Sequence, residues 1–148
     1  MRIQWTIDFS VYDEEIDSQH RDLFIIINKL DVAMRQGKAG QEILRVMDFL
    51  DQYAAGHFRV EEQQMAEHAF PGLESHRERH AWFRRQLSEI RKKLQSDGPT
   101  PDLIILADHL LITWFSNHIR TFDRMLGNFL SERRQAASGR EVTVPDIG

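Results

Sequence analysis

At 148 residues and a net charge of −4 the chain has room for one hydrophobic core, and nothing in its overall charge suggests a nucleic-acid partner. Hydrophobic residues at 41% and charged residues at 28% exclude the disordered class. The lack of cysteine excludes disulfides, Fe–S clusters, thiolate zinc sites and cysteine nucleophiles together. The opening "MRIQWTIDFS" lacks the apolar core of a signal peptide, and no apolar run approaches the ~20 residues of a membrane span. The expectation is a soluble, cytoplasmic protein with no membrane insertion.

Residues 3–11 read as an extended arm. The first helix then carries Leu23, Ile26, Ile27, Leu30 and Met34 at spacings of three and four, with Asp17 or Ser18 as its cap and "QGKAG" as its stop. The second carries Ile43, Met47, Leu50, Ala54, Phe58 and Met65, and "HAFPGLES" breaks it. The third runs through Phe83, Leu87, Ile90 and Leu94, with Ser75 and Glu78 spaced as a capping box. Its basic stretch of Arg84, Arg85, Arg91, Lys92 and Lys93 interleaves with core positions and reads as a solvated face. After "SDGPTP", Thr100 caps a fourth helix with Pro101 in its first position. That helix carries Leu103, Ala107, Leu110, Leu111, Trp114, Phe122, Met125 and Phe129. The fold class predicted is all-α: an up-down-up-down four-helix bundle over residues 1–130, with an extended N-terminal arm and a frayed polar C-terminal tail over 131–148.

The segment "SHRERH" places His76 and His80 one turn apart, but Arg77 stands where a zinc protease of the H-E-x-x-H type needs its glutamate. Both histidines continue the stripe of Phe83, Leu87, Ile90 and Leu94. His20 lies three residues before Leu23, His57 three after Ala54 with Glu61 one turn on, and His118 four after Trp114. Five histidines and a glutamate from four helices thus face one interior. A lone core histidine is satisfied by a local hydrogen bond; five would each need a partner, at ~1–3 kcal/mol per failure, and a shared metal satisfies them all. Five imidazoles exceed one tetrahedral zinc, and imidazole suits iron, copper, nickel or zinc, whereas Mg²⁺ and Ca²⁺ would want oxygen. Two ions sharing a carboxylate is the economical arrangement. His68, before Pro71, and His109, off the fourth stripe, read as surface residues.

The pieces "IDSQH" (16–20), "HFRVEEQQM" (57–65), "HRERH" (76–80) and "WFSNHIRTFD" (114–123), in this order and covering residues 5–129, resemble the single-domain bacterial hemerythrins. The resemblance implies two non-haem iron ions that bind O₂ reversibly, bridged by carboxylates and by an oxo or hydroxo group. It implies His76, His80 and His118 on one iron, His20 and His57 on the other with a position left open, and Glu61 and Asp123 as bridges. Asp123 lies five residues after His118, about 140° round an ideal helix, so it requires a π-type widening or a long reach across the seam. Phe58, Trp114 and Phe115 stand beside ligands and are expected to line an apolar O₂ pocket. One departure lies upstream, where "SVYDEEIDSQH" carries Tyr12 and Asp13 in place of the family's glycine-containing "SVGI".

The function implied is O₂ storage, delivery or sensing, with an oxygen-consuming enzyme or a reductant as a further partner, and no enzymatic activity. The alternative is a di-iron enzyme that reacts with peroxide or nitric oxide. A di-iron oxygenase is disfavoured by the excess of histidine over carboxylate, and a sensory role would need a signalling domain that is not read in this sequence.

Overall fold

The computed structural model describes residues 3–141. Among these, α1 (Glu14–Arg35), α2 (Gly40–Glu67) and α3 (Leu73–Asp97) are continuous α-helices. A fourth rod is composite: α4 (Pro101–Asp108), a π-helical stretch His109–Trp114, the single turn α5 (Phe115–His118), a second π-helical stretch Ile119–Asp123, and α6 (Arg124–Glu141). α1 packs on α2, α2 on α3, α3 on α4 and α4 back on α1, which closes the four-helix bundle. The polar segment from Ser131, expected as a tail, continues as helix to Glu141; residues 142–148 lie outside the described part. No helix of the described residues is long and apolar enough to cross a membrane.

The core is divided along its length. At the end of the bundle that holds the α1–α2 and α3–α4 connections, Ile27, Leu30 and Met34 meet Met47, Leu50, Leu87, Ile90, Leu94, Leu103 and Ala107, all buried. At the other end the same inward positions are occupied by histidine and carboxylate. Thr100 caps α4 as expected, its Oγ1 accepting from the Leu103 N–H at 3.3 Å, with Pro101 first in the helix. The basic face of α3 is tied to α2, Arg84 to Asp51 and Arg91 to Asp48, each through two nitrogens. Those pairings take up Arg84 and Arg91 of that face, and Lys92 pairs with Glu89 on α3 itself.

Two expected caps are corrected. α3 starts at Leu73 after Gly72 with no side-chain cap, so Ser75 and Glu78 already lie within the helix and form no capping box. α1 starts one turn earlier than expected, capped by Asp13, which accepts from the Ile16 N–H at 3.1 Å. Asp17 turns back to the arm instead: its carboxylate accepts from the Ser10 hydroxyl at 2.7 Å and from the Val11 N–H at 2.9 Å.

The arm contains a 3₁₀ turn, Ile7–Phe9, in place of a fully extended run. Asn28 holds its start, accepting from the Ile3 N–H at 3.0 Å and donating to the Ile3 carbonyl at 2.6 Å. The arm ends at Tyr12, whose φ of 63° lies in the left-handed region that glycine adopts without strain. The departure from the family's glycine therefore keeps a glycine-like turn with a tyrosine in it. Its side chain is mostly exposed, so little packing depends on the ring. Tyr12→Gly should exceed Tyr12→Ala in stability by about 1 kcal/mol, because both lose the ring and only glycine relieves the backbone. Paired thermal melts check this; equal melting temperatures would mean the turn carries no strain.

Candidate metal centre

His20 on α1, His57 and Glu61 on α2, His76 and His80 on α3, and His118 and Asp123 on the fourth rod converge in one buried cluster, each almost without exposure. They fall into two overlapping groups able to hold a metal ion, Glu61–His76–His80–His118–Asp123 and His20–His57–Glu61–Asp123. The two carboxylates belong to both, and their oxygens divide. Glu61 Oε1 lies 3.0 Å from His80 Nε2, and Asp123 Oδ1 lies 2.9 Å from His76 Nε2 and 3.1 Å from His118 Nε2. Glu61 Oε2 lies 3.4 Å from His57 Nε2, and Asp123 Oδ2 lies 3.0 Å from His20 Nε2. Each carboxylate thus turns one oxygen toward the His76–His80–His118 group and the other toward the His20–His57 group.

The second π-helical stretch puts Asp123 there. The buried positions Ala107, Leu111, Phe115, Ile119 and Asp123 recur every four residues. On an ideal α-helix that spacing drifts by about 40° per step, or about 160° over the four steps. The widened turns absorb the drift and keep all five inward. The same shift corrects the expected fourth stripe: Met125 is 58% exposed, Phe122 and Phe129 are half-buried, and Leu126 and Leu130 are buried instead.

Hydrogen bonding suits the donor set to a cation. His57 Nδ1 donates to Gln19 Oε1 at 2.7 Å and His80 Nδ1 to Glu62 Oε2 at 2.9 Å. In the neutral imidazole each of these bonds leaves the lone pair on Nε2, aimed into the cluster. The Nε2 atoms of His20, His57, His80 and His118, both Glu61 oxygens and Asp123 Oδ2 have no hydrogen-bond partner although buried. Seven orphaned atoms facing one another, at ~1–3 kcal/mol each, are explained by a ligand they share. His118 differs on its outer side, where Arg79 Nε donates to Nδ1 at 3.3 Å. Binding through Nε2 leaves a neutral His118 with a proton on Nδ1, so Arg79 has to turn aside when a metal is bound.

Electrostatics point the same way. Burial alone disfavours a charged His20, but Asp123 and Glu61 outweigh it and lift its pKa to about 9. Burial also works against ionised Glu61 and Asp123, yet His57 and His20 around the first, and His118, His20 and His76 around the second, hold both well below the usual carboxylate range. A buried pair of anions kept ionised by imidazoles is a cradle for positive charge.

Aromatic rings enclose the cluster. Phe58 lies flat on His80 with centroids 3.9 Å apart, Trp114 stacks on His118 at 4.9 Å, and Phe115 meets His20 edge-on at 6.0 Å. Phe24 and Phe122, absent from the expected pocket, complete the shell: Phe24 packs on Phe115 and Phe122 stacks on His118. Phe24 was legible as the residue one turn after His20. His68 lies at the end of α2, its ring bonded to the Gln64 carbonyl, and His109 is exposed, so both stand apart from the cluster.

A family model described as the Hemerythrin HHE cation binding domain matches residues 12–130. A bacteriohemerythrin of Stenotrophomonas maltophilia is 31% identical over 123 residues, covering 81% of this chain and 76% of the relative. One of Pseudomonas aeruginosa is 33% identical over 119 residues, covering 80% and 75%. One of Clostridium acetobutylicum is 28% identical over 123 residues, covering 81% and 95%. With its bundle, its cluster of histidines and carboxylates and this match over most of its length, the chain belongs to the hemerythrin family of HHE cation-binding domains.

Proposed function

We propose that this protein binds O₂ reversibly at a non-haem di-iron centre in the cytoplasm, for storage, delivery or sensing, and releases it unchanged. The observation that carries the reading is the sharing of Glu61 and Asp123 between a three-histidine and a two-histidine group, one oxygen to each. His76, His80 and His118 would hold one iron and His20 and His57 the other, with Glu61 and Asp123 bridging beside an oxo or hydroxo group. When bound, the ferrous pair supplies two electrons that O₂ draws on when it binds and gives back when it leaves.

The residues of the chain make that exchange reversible. The two-histidine group offers one protein donor fewer than its neighbour, so an ion held by His20 and His57 would be the one with room for O₂. Phe115, 1% exposed, stands edge-on to His20 and keeps that side apolar. A dry wall restrains proton delivery and excludes bulky reductants. Histidine outnumbers carboxylate five to two in the cluster, which argues against an oxygenase-like centre rich in anionic donors. Cycling the reduced, iron-loaded protein between air and argon tests the reading: the absorption of the oxygenated form should appear and vanish repeatedly. Irreversible bleaching in the first cycle would favour the peroxide- or nitric-oxide-reacting alternative.

The histidine assignment has its own test. His68→Ala and His109→Ala should leave iron content unchanged, whereas His80→Ala should lower it sharply. Metal analysis of the three purified variants decides; loss of iron from either of the first two would place the centre elsewhere.

A further inference from the structure

A centre that gives two electrons to O₂ is disabled whenever the product leaves as peroxide. O₂ then departs as H₂O₂ with two electrons and two protons, and the irons stay ferric. Recovery requires two electrons from outside, so a buried centre needs a path for them.

From the stacking of exposed and buried rings we infer that Trp82 and Trp114 form the electron path between the surface of α3 and the metal centre. Trp114 lies almost parallel to the His118 imidazole, 11° between planes and 4.9 Å between centroids. Trp82 packs on Trp114 at 5.5 Å between centroids and 36° between planes. Trp82 is 40% exposed, whereas His118 has no exposure, so two rings span the depth from solvent to the cluster. Electronic coupling decays steeply across empty gaps and far less across stacked π systems. His80 and His57 also reach outward through polar links to Glu62 and Gln19. The rings of Phe58, Phe115 and Phe122 touch cluster histidines, but Phe58 and Phe115 are buried and Phe122 stacks on no exposed ring among the described residues. Trp82 stacks on the half-buried Trp114 with part of its ring in solvent, which places the outer end of the pair at the surface of α3.

This inference rests on the di-iron reading above. The donor is a one-electron carrier of the reduced flavin or iron–sulfur class. Each electron passed oxidises one donor and reduces one ferric ion; two complete the recovery, with solvent protons balancing the charge. The indole rings supply coupling, and no bond in them forms or breaks.

Because the chain has no cysteine, one introduced thiol can be labelled uniquely. A photoactive ruthenium complex on an Arg85→Cys variant sits one turn from Trp82, and on an Ala66→Cys variant one turn from Glu62. Flash-injected electrons reaching the ferric centre are timed by loss of its absorption. Adding Trp82→Leu should slow transfer from the label at position 85 by an order of magnitude or more and leave transfer from position 66 unchanged, with Trp82→Phe restoring part of the rate. Metal-free protein supplies a second readout: oxidative flashes from position 85 should yield tryptophan radical, and Trp82→Leu should cut that yield several-fold. Equal rates with and without Trp82, or equal slowing from both labels, would overturn the path while leaving the di-iron reading intact. Failure of the labelled proteins to take up iron would overturn both.

Discussion

Gly127→Ala should strip the N-terminal arm from the bundle. A Cβ at this position would stand 1.8 Å from the Val11 carbonyl oxygen and 2.7 Å from its carbon. The obstacle is backbone, and Val11 cannot retreat easily: it is fully buried and its N–H is held by Asp17. In an unobstructed helix the same change would gain about 1 kcal/mol. Here a loss of about 3 kcal/mol is expected, the upper end of what overpacking costs. The sign alone is diagnostic. Thermal melts should fall and the Val11 amide should lose its protection from hydrogen exchange; an unchanged or raised melting temperature would mean the arm does not need this close approach.

Phe115→Ala should cost stability and, separately, shorten the life of the oxygenated form. The ring is buried against His20, Phe24 and Phe83, and removing it leaves a cavity worth ~3–5 kcal/mol. The cavity opens on the two-histidine side, where water and small anions then reach the iron more easily. Iron content should stay nearly intact, since no donor atom is lost, while autoxidation accelerates. Stopped-flow decay of the oxygenated spectrum, read beside melts of the same variant, separates the two effects. Reduced stability with an unchanged decay rate would make Phe115 a packing residue only.

Much of this centre was legible because an α-helix repeats. His76 and His80 continue the spacing of Phe83, Leu87, Ile90 and Leu94, and His20, His57, Glu61 and His118 extend their own stripes, so their faces follow from position alone. Periodicity failed where the helix stops being regular. Asp123 reaches the cluster through the π-helical stretch Ile119–Asp123, and the same widening sends Met125 outward and brings Leu126 and Leu130 in. Family resemblance supplied Asp123; the residue spacing could not. The start of α1 was misplaced for another reason: Asp17 has the look of a cap, but the left-handed turn at Tyr12 starts the helix earlier and frees Asp17 to hold the arm. Gln19, Glu62 and Arg79 were invisible as partners of His57, His80 and His118, since each acts across a helix–helix seam that no local pattern records.

The central claim is that one pair of carboxylates serves two metal ions. Metal analysis of the purified protein, with its visible spectrum, tests this most directly. Two irons per chain and the colour of oxo-bridged ferric iron are expected in the oxidised protein, with Glu61→Ala losing both ions together. One zinc per chain in a colourless protein would contradict it.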